Sequence, residues 1–167
     1  MVSKIIILGI CSFLLCSCAG YKLGGATPQE LQSIKSIAIP QFENDTLEPR
    51  LAVLTTNSTV DSLVLDGSYK IVSNEEADAV LLARVKQVDY HQFRSNRFDT
   101  LRSDEFTAIV EIDWKLVSGR QVLSRGTSKG SINFFTERNF QASKRNALPL
   151  AAKRAADKIV TSLTEGF

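Results

Sequence analysis

The sequence predicts an α+β fold: a two-layer sandwich with a mainly antiparallel sheet of four to five strands and two helices on one face. Three observations carry this expectation. Phe106, Ala108, Val110, Ile112, Trp114 and Leu116 alternate with Thr107, Ile109, Glu111, Asp113 and Lys115, which is the period of a strand with one buried face. After Ser118-Gly119-Arg120, residues 121–135 return as a second strand, so the two should form an antiparallel hairpin. Leu148, Ala152, Ala155, Ile159 and Leu163 then recur at helical spacing over residues 147–163, with Lys153, Arg154, Asp157 and Lys158 mostly elsewhere. Small residues on that helix allow close packing on the sheet, whose other face is left for solvent or a partner.

The remaining elements follow in chain order. Residues 34–40 read as a strand with Ile37 and Ile39 on one face and Pro40 ending its hydrogen-bonded run. Asn44-Asp45-Thr46 offers capping side chains, and Glu48 and Pro49 suit a helical first turn, because an acid meets the dipole there and proline loses no needed donor. A helix to about Leu65 is expected, with Leu47, Leu51, Leu54, Val60, Leu63 and Val64 as its apolar positions and Asp66-Gly67 as its stop. Tyr69 to Val72 is a short strand, Glu75 to Asp78 a turn, and residues 79–88 a long apolar run forming the next strand. Residues 93–102 form a polar, basic loop carrying Phe93 and Phe98, while Gly126 and Gly130 are expected to mark bends or a bulge.

Ahead of this domain stands an export signal: Lys4 supplies the positive start and residues 5–15 the apolar stretch, which is shorter than the roughly 20 residues a membrane span needs. Leu15-Cys16-Ser17-Cys18 resembles the lipobox of bacterial lipoproteins, in which cleavage precedes a cysteine that is then lipidated. Cys11 follows Ile10 and Cys16 follows Leu15, both bulky, whereas Cys18 follows the small Ser17, so Cys18 is the expected lipidation site. The organisation read from the chain is therefore residues 1–17 as signal peptide, 18–33 as lipidated tether and 34–167 as the folded domain. A multiply acylated cysteine anchors stably, since each buried methylene adds about 0.8 kcal/mol. In lipoproteins Asp after the cysteine marks inner-membrane retention; Ala19 occupies that place, so outer-membrane delivery is expected.

Charge and residue inventory exclude several functions. Net charge is +2, with 19 basic against 18 acidic side chains once Lys4 is removed, so no basic field for nucleic acid exists. All three cysteines lie at or before Cys18 and His91 is the one histidine, which leaves no cysteine-histidine metal site and no visible nucleophile–base pair. His91 is expected on the surface. Gly20 to Gly25 lacks the lysine placement of a phosphate loop, and Asp78, Asp89, Asp99 and Asp104 are scattered as in solvated loops. No cofactor, metal or catalytic residue is expected; the chain should work by binding.

Four segments together resemble the LptE lipopolysaccharide-assembly lipoproteins: Cys18-Ala-Gly-Tyr21-Lys-Leu-Gly-Gly25, residues 37–49 (Ile-Ala-Ile-Pro-Gln-Phe-Glu-Asn-Asp-Thr-Leu-Glu-Pro), Leu65-Asp-Gly67-Ser-Tyr69 and Ala77-Asp78-Ala79-Val-Leu81. Residues 137–149 follow the family only in outline. The resemblance implies a sheet with two helices on one side. It also implies a lipid-anchored protein at the periplasmic face of the outer membrane that plugs the LptD β-barrel, supports its assembly and helps lipopolysaccharide reach the outer leaflet. Arg84 and Lys129 resemble the family's lipopolysaccharide-contacting basic residues, and Arg94, Arg97 and Arg102 in the basic loop are further candidates for anion or barrel contacts. A lipoprotein adaptor of another envelope complex, without lipopolysaccharide binding, would share the anchor and fold but form no stable complex with such a barrel.

Overall fold

The computed structural model describes residues 31–95, 103–136 and 139–165. Among these residues, six strands and two helices follow one another as β1 (Ser36–Ala38), β2 (Glu43–Asn44), α1 (Leu51–Asp66), β3 (Lys70–Ile71), β4 (Ala79–Ser95), β5 (Ser103–Ser118), β6 (Gln121–Phe135) and α2 (Phe140–Thr164). They form one sheet in the order β3-β1-β4-β5-β6, with β2 also paired to β4. The long β4, β5 and β6 are antiparallel, whereas the pairings of β1 with β3, β1 with β4 and β2 with β4 are parallel. The expected two-layer α+β sandwich is therefore present, with a mixed sheet whose parallel part is made of its shortest strands. Parallel neighbours require a crossover, and α1 supplies it between β1 and β3.

The β5–β6 hairpin forms as the alternation predicts, turning at Gly119, whose φ is 58°. Ala108, Val110, Ile112, Trp114 and Leu116 are all buried on the helix-covered side. The Trp114 indole donates to Ser128 Oγ at 3.0 Å, which satisfies its one polar group inside the core. Gly126 and Gly130 differ from expectation. The pairing runs through both without a register shift. Each instead makes room: a Cβ on Gly126 would stand 2.9 Å from the Trp114 ring, and one on Gly130 would strike the α2 backbone at Ala151 and Ala155. Gly130 lets helix α2 lie directly on the sheet.

Helix α1 reverses part of its predicted pattern. Leu47, Val64 and Leu65 are exposed, and the buried side is Leu51, Ala52, Thr55, Thr56, Thr59, Ser62 and Leu63. Burying hydroxyls is tolerated because each is satisfied locally: Thr55 donates to the Leu51 carbonyl, Thr56 to Ala52 and Thr59 to Thr55. Ser62 donates to Asp157 at 2.6 Å and so ties α1 to α2. The helix begins at Leu51 with no side-chain cap. Asn44 and Thr46 stabilise the preceding turn instead, Asn44 Oδ1 accepting from the Thr46 amide and hydroxyl.

Helix α2 starts earlier than its periodicity suggests. Asn139 caps it by accepting from the amides of Gln141 and Ala142, and Pro149 lies inside it. Its first turns close the end of the core, where Phe140 packs among Tyr90, Phe106 and Phe134 at centroid distances of 5.0 to 6.4 Å. Lys144 lies 4.5 Å above the Tyr90 ring and pairs with Glu48. Asp78 is exposed, as expected, and its carboxylate also accepts from the Lys35 and Ser36 amides and the Ser36 hydroxyl. These bonds lower its pKa and join the start of β1 to the start of β4.

Candidate functional site on the open sheet face

Strand alternation divides the sheet's side chains cleanly. In β4, Leu81, Ala83 and Val85 face the helices, so Leu82 and Arg84 face outward. A register shift between Val85 and Gln87 then leaves Lys86 without a paired residue on β5. Such a bulge turns two successive residues to one side, and Lys86 and Gln87 both meet the open face. From β5 come Glu111, Asp113 and Lys115, and from β6 come Arg125, Thr127 and Lys129, brought alongside by the pairs Glu111–Lys129, Asp113–Thr127 and Lys115–Arg125.

Both sequence-predicted ligand contacts lie on this face. Arg84 is half-exposed; its Nε donates to Glu43 Oε2 at 2.7 Å and its Nη1 to Asp45 at 3.5 Å. Glu43 reaches it because β2, unforeseen in the sequence, pairs Glu43 directly with Arg84. These carboxylates raise the guanidinium pKa, the Glu43 hydrogen bond contributing most. Lys129 pairs with Glu111 at 2.7 Å. Lys86 pairs with the other oxygen of Glu111 at 3.1 Å and with Asp113 at 3.8 Å. Thr127 donates to Asp113 at 2.6 Å. Glu111 holds its proton less tightly than an ordinary carboxyl, chiefly through the Lys129 hydrogen bond and then that of Lys86.

An open groove of about 940 Å³ runs beside this network. Arg84, Lys86, Lys115 and Arg125 line it with the apolar Pro40 and Leu82. Cations next to apolar surface are what a phosphorylated amphiphile needs, with the acids as resident counter-ions. Arg84, held by Glu43 and Asp45, and Lys129, held by Glu111, thus belong to two separate ion-pair clusters on the same face. Lys86 and Glu111 belong to the second cluster, and Lys86 also lines the groove beside Arg84. Reading residues 79–88 as a continuous apolar run hid Lys86, although the alternation of Leu81, Ala83 and Val85 with Leu82, Arg84 and Lys86 is visible.

The other candidates are placed less fully. Cys18, Arg97 and Arg102, with Asp99, lie outside the described residues. Arg94 lies in β4 opposite Glu105, within a segment read as loop, and only its backbone is described. His91 is exposed on β4, opposite Thr107. Among the described residues no helix is long and apolar enough to cross a membrane, and no group of three or more His, Cys, Asp or Glu could hold a metal.

The family model described as lipopolysaccharide-assembly, LptE, matches residues 34–163. No curated protein sequence matches the chain. Among solved structures, a Caulobacter crescentus protein classed as a lipoprotein superimposes with a TM-score of 0.50 at 21% identity, over 74% of this chain and 87% of that one. PelC from Paraburkholderia phytofirmans, solved as a dodecamer, gives 0.52 at 14% identity over 86% and 95%. Protein XCC0632 from Xanthomonas campestris gives 0.53 at 15% over 86% and 92%. At these identities the likeness concerns the fold.

Proposed function

Because the chain belongs to the LptE lipopolysaccharide-assembly family, we propose that it is an outer-membrane lipoprotein that binds and plugs an LptD-type β-barrel. In this reading it is anchored through lipid on Cys18 at the periplasmic face, supports the barrel's assembly and assists lipopolysaccharide insertion into the outer leaflet. It acts by binding, without a catalytic step. The observation that carries the reading is the two-sidedness of the sheet. The helices cover one face, while the other presents Arg84, Lys86 and Lys129 beside an open groove. A wide polar barrel lumen accepts such a compact, charged surface. Lipopolysaccharide, with phosphates and acyl chains, matches cations set beside Pro40 and Leu82.

The test is the double variant R84D/K129D. Both side chains are more than half exposed, and Lys86 still holds the covered Glu111, so the fold and the barrel complex should survive. Lipopolysaccharide binding should fall, because each reversal adds repulsion between phosphate and a site already holding Glu43, Asp45 and Glu111. Unchanged lipopolysaccharide binding would remove both residues from the ligand site.

A further inference from the structure

Glu111 stands between two lysines from the strands on either side of it. One oxygen meets Lys86 of β4 at 3.1 Å and the other meets Lys129 of β6 at 2.7 Å. The Glu111 side chain is only 8% exposed, whereas those of Lys86 and Lys129 are 51% and 61% exposed. The carboxylate therefore lies beneath its partners, and the ammonium groups face outward over it. A covered carboxylate is costly unless cations hold it, so the three residues form a unit. Each ammonium has three donors, and Glu111 takes one from each lysine. Donors remain on both for an anion arriving from solvent.

The bulge at Lys86 gives this arrangement its shape. By turning Lys86 outward next to Gln87, it places the ammonium near both Glu111 and Asp113, and Lys86 also lines the groove that contains Arg84. Lys86 is thus the residue common to the Arg84 groove and the Lys129 pair. We infer that Lys86 is a third ligand-contacting cation, and that Glu111 is a resident counter-ion that positions Lys86 and Lys129 and competes with an incoming phosphate group. The inference rests on the reading of the open face as the lipopolysaccharide-contacting surface, and it deepens that reading. Phosphate binding here is an exchange of anions: the ligand takes lysine donors that face solvent, against the residual attraction of Glu111. Removing that attraction should strengthen binding, an effect that damage to the fold would not produce.

The experiment uses the full lipidated protein in detergent, with purified lipopolysaccharide and its dephosphorylated form as probes, for wild type, Glu111→Gln, Lys86→Gln and R84D/K129D. Glu111→Gln should bind lipopolysaccharide about fivefold more tightly, and Lys86→Gln about fivefold more weakly, as expected for one exposed charge pair. Both effects should shrink in high salt and vanish with the dephosphorylated probe. Lys86→Gln changes a half-exposed side chain and should melt like wild type, so it tests the inference even if Glu111→Gln loses stability. Unchanged binding by Lys86→Gln, with R84D/K129D still weakened, would overturn the inference and leave the open-face reading standing. Wild-type binding by R84D/K129D would overturn the open-face reading, and this inference with it.

Discussion

Gly130→Ala adds one methyl group where helix α2 touches the sheet. The new Cβ would meet the Ala151 carbonyl oxygen and the Ala155 amide nitrogen and Cα, all backbone atoms that no rotamer change can withdraw. Relief requires α2 to lift from β6. The helix holds Ala151, Ala152, Ala155, Ala156, Ile159 and Leu163 in the core, and lifting it loosens all of those contacts. Overpacking of this kind costs about 3 kcal/mol, the upper end of the usual range, because the obstacle is backbone. Alanine also restricts the unfolded chain, which returns about 0.4–1 kcal/mol. The net loss of roughly 2–2.5 kcal/mol should lower the melting temperature by about 6–10 °C for a domain of this size. Gly126→Ala is the control: its Cβ would meet the Trp114 ring at 2.9 Å, and a side chain can tilt away, so its loss should be distinctly smaller. Thermal melts followed by circular dichroism measure both. A Gly130→Ala protein that melts within a degree of wild type, or a Gly126→Ala protein that suffers more, would refute the packing argument.

Trp114→Asp should unfold the domain or cost more than about 4 kcal/mol, since it places an unpaired charge in the indole's buried site; a cooperative melt like wild type would refute the register. Asp78 and Glu111 hold their protons less tightly when folded, so their stabilisation is complete above the ordinary carboxylate range and lost as the pH falls through their lower folded values. Stability measured by urea denaturation should therefore decline below about pH 4, and less steeply in Asp78→Asn; an identical decline in that variant would exclude Asp78 as a source. At the alkaline end the sign reverses. Burial raises the Tyr69 and Tyr90 phenols, so what their neutral forms contribute is present below the ordinary tyrosine range and lost as the pH rises through the folded values. Replacing Tyr69 by Phe should flatten the alkaline loss, and an unchanged alkaline limb would assign it elsewhere.

The hairpin was legible because a single buried face imposes strict alternation, and Trp114 marks that face without ambiguity. Helix α1 was legible in extent but not in orientation. Its buried Thr55, Thr56 and Thr59 satisfy themselves on their own helix, so polarity stopped reporting exposure there. Strand β2 could not be read, as Glu43 and Asn44 are polar and pair only once β4 is beside them. The start of α2 was available in Asn139, a good cap, but the helical periodicity is clear only after Ala147. At the site, the positions of Arg84 and Lys129 came from family resemblance. The cluster of Lys86, Glu111 and Lys129 depends on a bulge and on a glutamate covered by lysine side chains, neither of which has a local sequence signature.

Capture from the host's detergent-solubilised outer membrane, with this protein tagged at its C-terminus and its bound partners identified by mass spectrometry, tests the central claim most directly. The account predicts recovery of a large β-barrel of the LptD type in near-stoichiometric amount, retained by R84D/K129D. Recovery of the lipoprotein alone, or with periplasmic proteins only, would contradict the plug reading and favour an adaptor in another envelope complex.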